Sequence, residues 1–154
     1  MSSEALTGTI TIEQVEAAVT YPLRMQELRE GRSPEIEEDD APYTLHLAAR
    51  MDSGEIVGVV RFHPRDCPWR DTEGSWQLRG MATDPLVRGR GVGRALVAEG
   101  LSRVSAMGAQ LVWCDARKAA VGFYRRMGFT VVTEEYDLRS VGLHRGMVLE
   151  LPIR

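Results

Sequence analysis

Residues 88–94 read Arg-Gly-Arg-Gly-Val-Gly-Arg, with glycines at alternate positions and arginines at both ends. Glycine lets backbone N–H groups approach a ligand closely, and guanidinium groups attract and grip oxyanions. An apolar pattern at helical spacing follows, so these N–H groups fall at a helix N-terminus, where the dipole favours negative charge. Glycine costs about 1 kcal/mol in a helix interior, so Gly91 and Gly93 point to backbone access rather than to helix stability. The chemistry indicated is the grip of a phosphate or pyrophosphate.

Three arrangements compete for that role. A mononucleotide loop needs GxxxxGK followed by Ser or Thr, and no lysine follows these glycines. A dinucleotide fold is closer, because Gly91-x-Gly93 precedes a helix and Asp115 closes the next strand at roughly the fingerprint distance. Against it, the third glycine is replaced by Leu96, and DPLVR intervenes where that fold wants a tight turn. The third arrangement uses every feature: a strand ending in MAT, a short DPLVR connection, then a nest of N–H groups from 89–94 facing a pyrophosphate.

The elements that must hold the loop are legible in the periodicities. LTGTI (6–10) reads as a short first strand. Thr11 with Gln14 is a capping-box pattern that predicts a helix carrying Val15 and Val19, interrupted at Pro22 and continued by Leu23 and Leu28 to Gly31. RSPEIEEDDAP is a polar, acidic loop. YTLHLAAR (43–50) and EIVGVVRFH (55–63) form a hairpin about MDSGE. After the loop PRDCPWRDTEG, SWQLRGMAT (75–83) is a third strand whose alternation slips at Gly80, the mark of a bulge. Val92, Leu96, Val97, Leu101, Val104 and Met107 line a helix stopped by Gly108. AQLVWC (109–114) is a buried strand, ARKAAVGFYRRM (116–127) a second helix, and FTVVTEEY (129–136) and HRGMVLEL (144–151) two closing strands. The order describes a mixed α/β chain with antiparallel hairpins and one crossover.

Composition narrows the function classes. The 154 residues suit one domain over 1–154, with 44% hydrophobic and 27% charged residues. A net charge of −3 gives no global reason to expect nucleic acid or an anionic membrane as partner. Cys67 and Cys114 lack CxxC spacing, which speaks against a redox or metal motif and against a disulfide. MSSEALTGT has neither a basic nor an apolar region of a signal peptide, and no run suits a membrane span, so a cytoplasmic location is expected.

LRGMATDPLVRGRGVGRALV resembles the core motif of the GNAT superfamily of acetyl-CoA-dependent N-acetyltransferases, Arg/Gln-x-x-Gly-x-Gly/Ala, through Arg88, Gly91 and Gly93. AAVGFYRRMGF (119–129) resembles the second motif of that family through Ala120, Tyr124, Gly128 and Phe129. The resemblance implies a GNAT-like fold: a mostly antiparallel sheet of about six to seven strands, splayed in the middle, with helices on both faces. It implies acetyl-CoA as cosubstrate, with Met81, Ala82 and Thr83 along the pantetheine arm. Arg88, Gly89, Arg90, Gly91, Val92, Gly93 and Arg94 would hold the pyrophosphate, and Phe123 would border the arm; Arg117, where many relatives carry asparagine, could reach a coenzyme phosphate or carbonyl or simply face water.

The implied reaction is direct attack of a primary amine, on a small molecule or peptide, upon the thioester. An alkyl amine of pKa about 10.4 is neutral only roughly once in a thousand at pH 7, so a base or desolvation is required. A phenol of pKa about 10 can protonate the departing sulfur, and Tyr124 stands where many relatives place that donor. A backbone N–H near Met81 would steady the oxyanion. This chain departs from the pattern twice: Arg117 replaces an asparagine, and 75–83 holds no glutamate base, only Gln77 and Arg79. His63, Asp115 and His144 are candidate bases beside one acting through water. Cys114 reads as a small core residue. Glu35–Asp40 reads as a solvated loop, which in relatives overhangs the acceptor, and Trp69 and Trp76 either line the acceptor pocket or pack. A homodimer through the closing strands follows from analogy alone. The missing glutamate keeps a non-catalytic acyl-CoA-binding module as the alternative.

Overall fold

The computed structural model describes residues 9–29, 35–138 and 142–152. These residues form a mixed α/β fold with eight strands among them, mostly antiparallel. By its contacts the chain forms two compact units: Met1–Phe62 with Gly80–Gly100, and His63–Arg79 with Leu101–Arg154.

In the first unit, strand β1 (Ile10–Gln14) pairs antiparallel with β2 (Leu45–Met51), from Ile10↔Met51 to Gln14↔Leu47. The capping-box reading of Thr11 and Gln14 is therefore corrected. Ile10, Thr11 and Ile12 are β-branched, and the ladder to β2 outweighs the local cap. Helix α1 (Ala17–Arg24) starts only after Glu16, carries Pro22 inside, and continues as a π-helical turn, Met25–Arg29. Of the earlier strand at 6–10, residues 6–8 lie outside the described residues, as does Gly31. Strand β3 (Ile56–Pro64) returns beside β2 with Leu45↔Phe62 and a bulge at Ala49/Arg50.

Helix α2 (Val92–Ala106) begins in this unit and lies on β3 at close range. A side chain at Gly58 would stand 2.7 Å from Leu96, and one at Gly100 would collide with Phe62 at 2.0 Å. Both positions need glycine for packing. Leu47, Val59, Val60, Phe62, Leu96 and Val97 are fully buried around that contact.

The acidic run Glu35–Asp40 is not wholly solvated, which corrects the second expectation. Asp39 is only 5% exposed, and Ile36 is buried with it. The Asp39 carboxylate takes Arg24 Nη1 at 2.8 Å, the Ile36 N–H at 2.8 Å, and lies 2.9 Å from Arg61 Nε. His46 Nε2 reaches the Asp39 carbonyl at 2.8 Å. Burial by itself would raise the Asp39 carboxyl, but the Arg24 and Ile36 hydrogen bonds and the two guanidinium charges hold it below its ordinary range. Burial lowers His46, so the ring is kept neutral. A loop that is polar by composition is thus pinned by one carboxylate.

In the second unit, the start of β4 (Ser75–Thr83) pairs parallel with β5 (Leu111–Arg117), through Ser75↔Leu111, Trp76↔Val112 and Gln77↔Trp113. Strand β5 pairs antiparallel with β8 (Leu143–Glu150) along its whole length, from Leu111↔Glu150 to Arg117↔His144. That ladder keeps Ala116 and Arg117 extended, where helical periodicity had placed them in a helix. A 3-10 turn (Lys118–Ala120) then leads into the short helix α3, Val121–Arg126.

The expected strand 129–136 divides into β6 (Thr130–Val131) and β7 (Tyr136–Asp137), both on β8. Between them, four residues oppose two on β8, and the loosened segment is held by the Gly146 N–H donating to Thr133 Oγ1 at 2.8 Å. This split brings the strand count to eight. Cys67, Leu111, Trp113 and Val148 form the core here, with Trp69 and Val132 against it. Cys67 and Cys114 are buried free thiols. Among the described residues, no helix is long and apolar enough to cross a membrane.

Candidate active site

In the first unit, the end of β4 and the start of α2 build the glycine loop. Gly80 has φ +68, the kink that the slipped alternation predicted, and the Arg24 guanidinium lies against it with Nε 3.0 Å from where a Cβ would stand. Beyond it, Ala82 is buried with Leu23, Ala48 and Val59, while Met81 and Thr83 are half-buried on either side. The Asp84 carboxylate accepts the Leu86 N–H at 2.9 Å and caps a 3-10 turn, Pro85–Val87. Buried Val87 anchors the loop, and its carbonyl takes the Arg90 N–H at 3.1 Å.

Gly89 and Gly91 then adopt φ +78 and +82, values that L side chains rarely tolerate. A Cβ at either would meet nothing within 4 Å, so no protein packing demands glycine there. What a side chain would occupy is the open space in front of the loop. The Ala95 N–H bonds the Gly91 carbonyl at 3.0 Å and closes the first turn of α2. The N–H groups of Val92, Gly93 and Arg94 precede that bond and, as in any first helical turn, have no intrahelical acceptor. An anion is the natural partner for such a set. Arg88 pairs with Glu27, and Arg90 and Arg94 are exposed, so the arginines surround the loop rather than build it. These residues fit a pyrophosphate.

In the second unit, Tyr124 sits on α3 and is 6% exposed. Its ring meets Phe123 edge-on at 5.0 Å and Phe129 at 5.4 Å between centroids. Burial pushes the Tyr124 phenol well above its ordinary value, with Cys114 adding to the effect, so the hydroxyl stays protonated at neutral pH. That is the state of a proton donor. Burial also pushes the Cys114 thiol up, which leaves it inert as a nucleophile.

Two of the three candidate bases meet at one residue. His63 is a buried residue of β3. Asp115 and His144 converge on Tyr136, a residue the spacing arguments passed over. The Tyr136 hydroxyl donates to Asp115 Oδ1 at 2.5 Å, and its ring lies at 24° to the His144 imidazole with centroids 6.3 Å apart. No sequence signal separates Tyr136 from the other residues of its polar stretch; only the β7–β8 register does. Arg117 ends β5, exposed, directly across from His144. Trp69 belongs here too, 5.4 Å from the Trp113 ring and 6.5 Å from Tyr136.

Known proteins resemble this chain in sequence and in fold. The model of the Acetyltransferase (GNAT) family matches residues 10–129. The uncharacterized N-acetyltransferase YitI of Bacillus subtilis is 31% identical over 139 residues, covering 88% of this chain and 89% of YitI. The uncharacterized N-acetyltransferase YhbS of Escherichia coli is 34% identical over 102 residues, and that match spans only 58% of YhbS. Among solved structures, an aminoglycoside 6'-N-acetyltransferase complexed with coenzyme A superposes with TM-score 0.73 at 13% identity, covering 94% of this chain and 98% of that one. The ribosomal-protein-S18-alanine N-acetyltransferase of Escherichia coli superposes at 0.70 and 18% identity, covering 95% and 96%. At such identities the structures establish the fold, while the family match extends over most of the chain. The chain belongs to the GNAT family of acetyltransferases, whose cosubstrate is acetyl-CoA.

Proposed function

We propose that this acetyltransferase moves the acetyl group of acetyl-CoA onto a primary amine of a small molecule or peptide by direct attack on the thioester. The observation that carries the reading is the open backbone at Gly89 and Gly91, beside a helix N-terminus. In this reading the N–H groups of 89–94 hold the pyrophosphate, with Arg88, Arg90 and Arg94 adding charge around it. Met81, Ala82 and Thr83 offer strand backbone to the pantetheine amides, and the Met81 N–H meets the oxyanion. Arg117 meets a coenzyme phosphate or carbonyl, and Phe123 borders the arm. Tyr124 donates its proton to the leaving sulfur. The relatives named as N-acetyltransferases support nitrogen as the acceptor atom.

The test is a screen at saturating acetyl-CoA of simple amines, polyamines and peptide N-termini, read as thiol release. Turnover with at least one amine is expected. Saturable acetyl-CoA binding with no thiol release from any of them would instead identify a non-catalytic acyl-CoA-binding module.

A further inference from the structure

The last two residues of α1, Leu23 and Arg24, hold β4 on either side of Met81. Leu23 packs with Ala82 in a buried cluster that includes Ala48 and Val59. Arg24 takes the other side: its Nε, Cζ and Nη2 lie 3.0, 3.4 and 3.4 Å from where a Cβ at Gly80 would stand. Gly80 has φ +68, and a kink of this kind interrupts a strand ladder, so the backbone there needs holding from elsewhere. The guanidinium fills the space that a side chain would take. One helix end therefore grips the strand just before and just after the Met81 peptide.

The guanidinium is itself locked in place. Its Nη1 donates to Asp39 Oδ2 at 2.8 Å. Its Nη2 lies 3.4 Å from His46 Nδ1, and a guanidinium can only donate, so Nδ1 accepts. In the neutral ring, Nε2 then carries the proton and donates to the Asp39 carbonyl at 2.8 Å. Arg61 Nε lies 2.9 Å from the same carboxylate, and Arg61 Nη2 donates to the Glu37 carbonyl at 2.7 Å. Arg24 and Arg61 are fully buried. Apolar residues of similar volume often stabilise a fold as well as a buried ion pair does, so stability alone does not call for this arrangement. What an apolar side chain could not provide is a rigid planar fork, tied by its hydrogen bonds at one distance from the strand.

We propose that Arg24 is a positioning residue for acetyl transfer: tied to Asp39 and His46, it sets the Gly80–Met81 peptide so that the Met81 N–H points at the oxyanion. The inference rests on the acetyltransferase reading above, in which that N–H meets the oxyanion. As the amine nitrogen bonds to the carbonyl carbon, an electron pair of the carbonyl moves onto its oxygen. The pair returns when the carbon–sulfur bond breaks; the sulfur takes the Tyr124 proton, the nitrogen loses one to solvent, and solvent restores the phenol. A donor helps only if it is already aimed where the charge develops. Arg24 acts through the backbone it holds, so its effect belongs to the transition state and not to coenzyme binding.

The test uses the full chain at saturating acetyl-CoA, with primary alkyl amines as probes. Arg24→Lys keeps a cation for Asp39 and loses the planar fork against Gly80. Because a displacement of about 1 Å can cost about a hundredfold, kcat should fall about ten- to hundredfold, with acetyl-CoA affinity and the KM for the amine unchanged. Gly80→Ala presses on the same contact from the strand side and should lower kcat in the same way. The two losses should not add, so the double variant should be no slower than the slower single one. Thr20→Val, on the same helix, removes a buried hydroxyl that donates to the Ala17 carbonyl at 2.6 Å, and it should keep the wild-type kcat. A folded Arg24→Lys protein with the wild-type kcat overturns the proposal and leaves the acetyltransferase reading intact. So do losses that multiply in the double variant, or a Thr20→Val loss as large as that of Arg24→Lys. Wild-type protein that turns over none of the amines overturns that reading, and this one with it. If Arg24→Lys does not fold, Gly80→Ala decides: a fall in kcat with affinity unchanged supports the proposal, and a wild-type kcat overturns it.

Discussion

The two units of this chain contribute different materials. The first presents backbone: a kinked strand end, two glycines with positive φ, and unspent N–H groups at the head of α2. The second presents side chains: the buried phenol of Tyr124 on α3, and a carboxylate, a second phenol and an imidazole where β5, β7 and β8 meet. Pyrophosphate is common to every acyl-CoA, so in the proposed reading a backbone grip that ignores side-chain identity would serve it well. Proton transfer needs specific acids and bases, and these come from elements that packing brings together. The first unit also holds its buried charge differently. Arg24, Arg61 and His46 surround Asp39 and pin a loop.

The sharpest way to break this contrast is at Tyr124. Tyr124→Phe keeps the ring between Phe123 and Phe129 and removes only the proton, so kcat should fall by about 10²- to 10⁴-fold. Acetyl-CoA affinity, followed by calorimetry, should stay within about twofold. An unchanged kcat would deny the second unit its acid.

Next comes the frame of the first unit. Asp39→Asn leaves two buried guanidinium groups without their carboxylate, a loss of about 3–5 kcal/mol when one member of a buried pair is removed. Denaturant unfolding should show it. A loss near zero would mean the loop is pinned by something other than Asp39.

A smaller effect is expected at the loop itself. Gly91→Val puts a β-branched residue at φ +82 and a side chain in the open space before the N–H groups. Losing one charge-assisted hydrogen bond would weaken coenzyme binding roughly ten- to hundredfold. The strain should cost only about 1–2 kcal/mol of stability. Equal losses in binding and stability would make the glycines structural and remove the backbone half of the comparison.

The mildest test is acidity. His46 is held below its ordinary 6.5 by burial, so below that pH the unfolded chain takes a proton that the folded chain refuses, and stability falls. Asp39 is held below its ordinary 3.8, so its contribution, present above that value, is lost on further acidification. Melting temperature measured from pH 8 to pH 4 should fall gently below 6.5, and His46→Gln should flatten that slope.

Residues 75–83 show how much was legible in advance: the strand spans those nine residues, and its alternation slips where Gly80 turns to positive φ. The loop at 88–94 and the helix after it were equally plain, because glycine punctuation and 3.6-residue periodicity are local signals. The capping pattern at Thr11 misled for the converse reason. Its residues obey a partner strand, β2, in which Thr11 meets Arg50 and Gln14 meets Leu47. Asp39 looked like its acidic neighbours, and its burial depends on Arg24 and Arg61 from other elements. Tyr136 could be placed against Asp115 and His144 only through the β7–β8 register.

What the amino-acid sequence determined by itself is the family and the glycine loop with the helix behind it, since each is written in residues adjacent along the chain. The tertiary structure alone decided that Asp39 is buried, and that Asp115 and His144 meet at Tyr136. Those choices depend on strand register, and a shift of one residue would turn Asp115 and His144 away from Tyr136.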